Sequence, residues 1–161
     1  MGIEFVILNP LKQLITVPYG KFLAERYISK LATPERWMRC PKFTYGTLTP
    51  ANIDKWYTQF QSASLIAVDI ETKKEPFIHI IEIGFTAVFS SGLSHSVVLP
   101  INDMWSVIWM RKFCALKPPK VFQNGKYDNN YLLSYNAPVY NWLFDTANLF
   151  HSWYSELPKS L

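Results

Sequence analysis

The feature that most constrains the fold is the short apolar run Leu65–Val68, which leads directly into Asp69-Ile70-Glu71. A short continuous apolar run is typical of a β-strand that is buried on both faces of its sheet. Because side chains alternate along a strand, Asp69 and Glu71 are predicted to point the same way. Two carboxylates at the end of a buried strand are costly unless a cation lies nearby, and Mg²⁺ and Mn²⁺ prefer oxygen ligands. The motif therefore indicates a divalent-metal site, with a pair of exposed acids at a strand end as the simpler alternative.

The residues after Ser64 alternate between strand-like and helix-like patterns. Strands are predicted over Phe77–Phe89, His95–Leu99, Lys120–Gln123 and Val139–Phe144. Helices are predicted over Asp103–Ala115, over Tyr127–Tyr135 and from Asp145-Thr146 onward. Ser90-Ser91-Gly92 joins the first two of these strands as an antiparallel hairpin. This order predicts an α/β fold, in which a mixed sheet carries helices on its faces.

Residues 1–60 differ in pattern from the rest of the chain. Apolar residues at helical spacing predict a helix over Gly20–Leu31, and two prolines favour a loop over Thr33–Tyr45. Thr49 and Pro50 resemble the N-cap and first residue of a second helix, which would run to about Gln61. We therefore expect an N-terminal extension with two helices over residues 1–60 and a separate, incomplete domain over residues 61–161.

Composition and charge exclude several classes of protein. With 49% hydrophobic and 17% charged residues, the 161-residue chain is globular and not disordered. The net charge of +4 is compatible with a polyanionic partner. Cys40 and Cys114 lack the CxxC spacing of a metal framework, which favours reduced thiols and a cytoplasmic location. Because His79 and Glu82 interrupt the longest apolar stretch, no membrane partner is expected.

A second motif, Asn124-Gly125-Lys126-Tyr127-Asp128, follows a predicted strand and begins a predicted helix. Asp128 is expected in the first turn, where the helix dipole alone would favour an acid. The same position could instead bring a third carboxylate to Asp69 and Glu71 from a distant part of the chain. Three such carboxylates suit a two-metal phosphodiesterase, in which the metals activate the attacking water and stabilise the leaving 3′ oxygen.

These segments resemble the motifs of a known family. Asp69-Ile70-Glu71-Thr72 resembles the first exonuclease motif of the DEDD superfamily. Val121–Leu133 resembles the second motif, in the form found in family A DNA polymerases, and Phe144–Leu161 resembles the stretch that follows it in phage polymerases of this family. The resemblance covers roughly residues 64–161. It implies an RNase H-like sheet flanked by helices and a 3′→5′ proofreading exonuclease that acts on the single-stranded 3′ end of DNA.

The resemblance also implies a role for each matching residue. Asp69, Glu71 and Asp128 would be the catalytic metal ligands for two Mg²⁺ or Mn²⁺ ions, and Glu71 would also contact the nucleophilic water. The residues expected to contact the nucleic acid are Thr72, Asn124, Lys126 and Tyr127. Lys73 and Lys74 lie beside the site and would also contact phosphates. Each of these also has a simpler interpretation, as a polar residue after a strand, a turn residue, a core aromatic or a solvated lysine.

The family's third motif, of the form YxxxD or HxxxxD, has no match before the sequence ends at Leu161. Asp145 is the best local substitute for its carboxylate, although an N-cap role explains Asp145 well. Loss of a ligand and of the residue that orients the water should cost several orders of magnitude in rate, because one electrostatic contact is already worth about 10²–10³. We therefore expect a weak or inactive nuclease.

Three alternatives to that interpretation stay open. The first is a non-catalytic module of the same fold that binds single-stranded DNA, the rest of a polymerase or another replication protein. The second is an RNA exonuclease of the same superfamily, against which the polymerase-like residues Phe144–Leu161 argue. The third is an unrelated α/β protein whose acids coincide with the motif by chance.

Overall fold

The computed structural model describes residues 25, 28–29, 43–75 and 77–153. The chain divides into two compact units, one formed by Pro41–Phe150 and the other by Met1–Cys40 with His151–Leu161. Residues 25, 28 and 29 are helical and belong to the helix predicted over Gly20–Leu31. The rest of that helix and most of the predicted loop Thr33–Tyr45 lie outside the described residues. The expected division of the chain after residue 60 stays a prediction.

Within the described residues, a mixed six-stranded sheet with strand order β1-β4-β3-β2-β5-β6 forms the centre of the fold. In chain order its strands are β1 (Phe43–Thr47), β2 (Leu65–Lys73), β3 (His79–Val88), β4 (Ser94–Pro100), β5 (Lys120–Phe122) and β6 (Trp142–Asp145). The connecting helices are α1 (Ile53–Phe60), α2 (Met104–Cys114), α3 (Gly125–Ser134) and α4 (Thr146–Trp153). β2, β3 and β4 pair antiparallel, whereas the other three strands join by parallel pairing. The predicted α/β fold is therefore confirmed.

The core lies on one face of this sheet. Along β2 the buried residues alternate, so that Ile66, Val68 and Ile70 face the core. The aromatic side chains of α1 and α2 belong to the same buried cluster or pack against it. The ring of Phe113 stacks on Phe85 of β3 with 5.0 Å between ring centroids. Burial of one such side chain stabilises the fold by about 1.5–3 kcal/mol. β2 is thus buried on one face only, which corrects the expectation of a strand buried on both.

Two local predictions near residue 50 were wrong. β1 lies partly within the predicted loop Thr33–Tyr45, because parallel pairing with β4 extends this segment. The second helix begins at Ile53 and not at Pro50. A turn precedes it, in which the Thr49 carbonyl accepts from Asn52 N and Ile53 N, and the Asn52 side chain accepts from Thr49 N. Thr49 therefore closes a turn before the helix.

Other predicted elements are confirmed with small shifts of their ends. β3 and β4 form the expected antiparallel hairpin. Asp103 caps α2 by accepting from Ser106 N at 2.8 Å, while the Ser106 hydroxyl accepts from Asp103 N. The Asp103–Ser106 cap explains why α2 begins where the sequence predicts.

None of the described helices is long and apolar enough to cross a membrane.

Lys120 is fully buried in the first position of β5. Its ammonium donates to the carbonyls of Leu116 and, at 3.0 Å, of Pro118, and thereby holds the connection between α2 and β5. Burial lowers the pKa of Lys120 to about 8, because it disfavours the charged ammonium. Burial raises the pKa of the free Cys114 thiol to about 12, because it disfavours the charged thiolate. The buried amine is a structural group that satisfies two carbonyl acceptors.

Replacement of Lys120 by Ala is expected to lower the free energy of unfolding by about 2–4 kcal/mol. The change removes a buried side chain and leaves the Leu116 and Pro118 carbonyls without their donor. Chemical denaturation measures the loss, with K117A as the matched control because Lys117 is exposed. Equal stability of K120A and K117A would contradict the structural role of Lys120.

Candidate active site

Asp69 and Glu71 lie on the more exposed face of β2, opposite the core. Across the antiparallel pair with β3, Asp69 lies beside Gly84 and Glu71 lies beside Glu82. Like charges opposite each other destabilise a sheet unless a cation lies between them. Glu82 carries no sequence signal that predicts it beside the site. Antiparallel pairing of β2 with β3 is what places it beside Glu71, and that register is not visible in the sequence.

A β-bulge follows Glu71. Thr72 pairs with Ile80, although Glu71 pairs with Glu82, so β3 carries one extra residue at this point. Bulges re-aim side chains and are frequent beside active sites. Here the Thr72 hydroxyl lies 3.0 Å from the Tyr127 hydroxyl, which links the end of β2 to α3. Lys73 and Lys74 follow and are both exposed.

The start of α3 is defined by Asn124 and Gly125. Asn124 has a left-handed backbone with φ of 56°, a conformation that asparagine tolerates better than most residues. A Cβ at Gly125 would lie 2.4 Å from Cβ of Phe122 and 2.8 Å from Cζ2 of Trp142, so this position requires glycine. The tight approach sets α3 directly after β5, with Asp128 in its first turn as predicted.

Asp145 connects the beginnings of α3 and α4. Its Oδ1 accepts from Asn124 N at 3.0 Å and Ala147 N at 2.9 Å, and its Oδ2 accepts from Gly125 N at 2.6 Å. A weaker bond at 3.4 Å comes from Asn148 N. These bonds confirm the capping role that the sequence predicts for Asp145. They also engage both carboxylate oxygens of Asp145 in capping.

Asp128 is the most perturbed acid of the site. It is 4% exposed, and its Oδ2 is buried without a hydrogen-bond partner among the described residues. Burial raises the pKa of Asp128 to about 7, and the negative charges of Asp69, Asp145 and Glu71 add to this effect. Asp128 is therefore electrostatically coupled to both acids of β2, although it is distant from them along the chain. A buried acid of this kind requires a proton or a cation.

The acids fit a divalent cation by their chemistry, since carboxylate oxygens are the ligands that Mg²⁺ and Mn²⁺ prefer. The orphaned Oδ2 of Asp128 supports that fit. Their geometry is not preassembled, however: within residues 43–75 and 77–153 and the three helical residues before them, no three Asp, Glu, His or Cys side chains form a group that could hold a metal ion.

The other predicted residues surround these acids. Tyr127 is 43% exposed and its ring lies 4.8 Å from that of Tyr131, while Asn124 and Lys126 are exposed at the start of α3. A cavity of about 290 Å³ adjoins Asp69 and lies between the open face of the sheet and the start of α4; its lining includes Gly84, Thr86, Phe122, Gln123 and Thr146. Its volume is at the lower end of the range typical of small-molecule sites.

No protein-family model and no curated protein matches this chain in sequence. Its structure is similar to the Nibbler EXO domain of Aedes aegypti, with a TM-score of 0.51 and 10% identity over 68% of this chain and 55% of that one. It is also similar to Escherichia coli RNase D, an exoribonuclease involved in structured RNA processing, with a TM-score of 0.51 and 15% identity over 72% of this chain and 30% of that one. The POL domain of Pol1 from M. smegmatis, in complex with DNA primer-template and dNTP, matches with a TM-score of 0.50 and 15% identity over 66% of this chain and 19% of that one.

The chain thus spans about half of the Nibbler domain and less than a third of the other two chains. Identities this low show the fold alone. The fold is that of RNase H-like exonuclease domains, with a mixed sheet flanked by helices. The similarity extends to an exoribonuclease and to a DNA polymerase alike.

Proposed function

We propose that this chain is a 3′→5′ exonuclease domain of the kind that proofreads for family A, phage-type DNA polymerases. The observation that carries the proposal is the electrostatic coupling of Asp128 to Asp69 and Glu71. These acids come from two separate segments, which resemble the first and second exonuclease motifs of the DEDD superfamily. The exonuclease fold adds support, because it brings β2 and the start of α3 together.

Asp69, Glu71 and Asp128 would hold two Mg²⁺ or Mn²⁺ ions. When bound, these ions would activate the attacking water and stabilise the leaving 3′ oxygen. The protein itself supplies the negative charge that binds the cations, and α3 fixes one of the three carboxylates in a buried position. Glu71 would orient the water from the exposed face of β2. The protein residues thus build a site whose three acids repel one another until cations neutralise them.

The single-stranded 3′ end of DNA would lie along the exposed residues beside these acids. The half-exposed ring of Tyr127 offers a stacking surface, which is worth about 1–3 kcal/mol per base and tolerates any sequence. Lys126, Lys73 and Lys74 would contact phosphates, so binding should weaken as salt increases. Thr72 and Asn124 would contact the terminal nucleotides. The rest of a polymerase or another replication protein is the proposed partner, in the cytoplasm of the host if a phage encodes the chain.

A second candidate function is a non-catalytic module that binds single-stranded DNA or a replication partner. The observation that favours it is the lack of a preassembled metal group among the residues that the structure describes. The two candidates share the nucleic-acid surface and differ in hydrolysis. A ribonuclease is the remaining variant, and the similarity to E. coli RNase D is its support.

Metal binding is the first test of the proposed site, and the expected result is a weak Mn²⁺ site that depends on the acids. We expect D69N and D128N each to weaken Mn²⁺ binding about tenfold or more, since loss of one supporting group at a metal site costs about 10–100-fold. D54N is the matched control, because Asp54 is an exposed acid of α1 and undergoes the same change. Isothermal titration calorimetry measures the affinities.

Labelled single-stranded DNA and RNA, incubated with each variant and Mn²⁺, complete the test. Slow removal of nucleotides from the 3′ end of DNA, lost in D69N but not in D54N, would support the exonuclease. Binding of DNA without hydrolysis would favour the non-catalytic module, and preferential degradation of RNA would favour the ribonuclease. Equal Mn²⁺ affinity in D69N, D128N and D54N would contradict the metal site itself.

A further inference from the structure

The hairpin between β2 and β3 continues the open face of the sheet beyond the acids. Asp69, Glu71 and Lys73 alternate along β2 and share that face, because the extra residue of the bulge is on β3. His79 pairs with Lys73 across the hairpin, so its side chain lies on the same face. Along this face, two carboxylates are therefore followed by an exposed ammonium group and an imidazole ring.

Phe77 is an aromatic residue of this hairpin whose ring is mostly exposed to solvent. Its exposed fraction is 69%, and its ring centroid lies 5.4 Å from that of His79 with 53° between the planes. His79 Nδ1 lies 2.8 Å from the Phe77 carbonyl oxygen and donates to it, because a carbonyl only accepts. The hydrogen bond and the ring contact together hold the exposed ring against the first residue of β3.

A single exposed aromatic side chain is ordinary on a protein surface and needs no function by itself. Phe77 differs from that case because His79 supports its ring and because the exposed lysines Lys73 and Lys74 belong to the same hairpin. An aromatic ring beside cationic side chains suits a single strand of nucleic acid, which offers bases and phosphates in alternation. The hairpin thus has the composition of a nucleic-acid contact.

The hairpin and Tyr127 approach the end of β2 from different sides. α3, which carries Tyr127, follows β5 on one side of β2, whereas β3 pairs with the other side. The Tyr127 hydroxyl lies 3.0 Å from the Thr72 hydroxyl, so this ring is attached to the end of β2 itself. Phe77 therefore offers a ring that is separate from that of Tyr127.

We propose that Phe77, supported by His79, stacks on a base of single-stranded DNA on the 5′ side of the nucleotide at the acids. Because a strand rises about 3.3 Å per residue, Lys73 lies about 7 Å beyond Glu71 along β2, and the hairpin extends farther. Lys73 and Lys74 would contact the phosphates beside that base. This inference rests on the proposed function, because it adds a second base contact to the same single-stranded site. Phe77 binds the strand and takes no part in hydrolysis.

Substitution of Phe77 in the full chain tests the proposal, and fluorescence anisotropy measures the Kd of each variant for fluorescein-labelled oligothymidine in Ca²⁺. We expect F77A to raise the Kd about fivefold to hundredfold, as for the loss of one base stacked on an aromatic ring. F77W should bind within about threefold of the wild type, because it keeps a ring on which a base can stack. F43A is the matched control, because Phe43 is 52% exposed on β1 at the far edge of the sheet.

The dependence of binding on salt provides a second measurement. Stacking releases no counterions, so F77A should leave the slope of log Kd against log salt concentration unchanged. K73A/K74A should reduce this slope, because each phosphate contact that is lost reduces it by about one. A reduced slope in F77A would overturn the stacking role, since it would show that the substitution acts through the lysines of the hairpin.

The outcomes separate this inference from the proposed function. Equal affinities of F77A and F43A, together with weakened binding in Y127A, would overturn the role of Phe77 and leave the proposed function intact. Binding of F77W as weak as that of F77A would also overturn the role of Phe77, because a ring would then not be what the site requires. A wild-type chain that binds no oligothymidine would overturn the proposed function and the role of Phe77 with it.

Discussion

Replacement of Asp128 by Asn is expected to raise the free energy of unfolding by up to about 4 kcal/mol at pH 8. Burial, with the charges of Asp69, Asp145 and Glu71, raises the pKa of Asp128 from 3.8 to about 7 in the folded state. One pKa unit corresponds to about 1.4 kcal/mol, so at pH 8 the ionised carboxylate of Asp128 destabilises the fold by up to about 4 kcal/mol. Asparagine has the shape of the protonated acid and avoids this destabilisation.

The dependence on pH follows from the same shift. Between about pH 4 and pH 7 the folded chain keeps a proton on Asp128 that the unfolded chain has lost. Stability of the wild type should therefore fall as pH rises through this window and level off above it. D128N should lack this component, and the two proteins should converge below about pH 4. Thermal and urea unfolding across this range measure the difference, with D54N as the control for loss of an exposed carboxylate.

A divalent cation should reverse the effect at pH 8. Mn²⁺ at a hundred times its Kd stabilises a protein that binds it only when folded by about 2.7 kcal/mol. The wild type should gain this stability, whereas D128N should gain much less because it lacks one ligand. A D128N protein that is less stable than the wild type at pH 8 without metal would show that Asp128 is not an ionised, repelled acid. Equal gains with Mn²⁺ would remove Asp128 from the metal site.

The parts of the fold that the sequence predicts are those whose signals are local. The apolar run Leu65–Val68 predicts a strand, and β2 begins there. Asp103 with Ser106 caps α2 at the residue where that helix is predicted to begin. β1 was missed because its side chains are mostly exposed and show no alternation, so that only pairing with β4 makes it a strand. β2 likewise extends beyond the apolar run, through Asp69 to Lys73, because its pairing with β3 continues there.

The site shows the same division between local and distant contacts. Motif spacing predicts that Asp69, Glu71 and Asp128 come from adjacent elements, and β2, β5 and the start of α3 have that arrangement. Spacing does not predict that Asp128 is buried while the other two are exposed, because burial depends on how α3 packs. Glu82 was missed because strand register, and not a sequence motif, brings it to the site.

Replacement of Asp145 by Ala is expected to lower the free energy of unfolding by about 3–5 kcal/mol. One side chain accepts hydrogen bonds from four backbone N–H groups, which belong to the starts of two helices, α3 and α4. Loss of a single cap costs about 0.5–2 kcal/mol, and donors left unsatisfied in a buried position add to that. Asp145 is 8% exposed, so water cannot readily replace it.

Comparison with two further variants isolates the double cap. D103A removes the cap of one helix, α2, and should lose only about 1–2 kcal/mol. D145N keeps the Oδ1 contacts but places an amide donor against Gly125 N, so its loss should lie between those of D103A and D145A. Urea unfolding of the three variants gives this order, and a D145A loss no greater than that of D103A would contradict it.

The charge of Asp145 also acts on the candidate active site, because it raises the pKa of Asp128. D145N should therefore lower the pKa of Asp128 while it weakens the start of α3 that positions this residue. The two effects oppose each other for metal binding, since an acid that ionises more readily binds cations better only if its position is kept. Mn²⁺ affinity per folded molecule, measured for D145N at pH 6 and pH 8, separates them. If the weakened position of Asp128 dominates, D145N binds Mn²⁺ more weakly than the wild type at both pH values. If the lowered pKa of Asp128 dominates, D145N binds Mn²⁺ no more weakly than the wild type at pH 6.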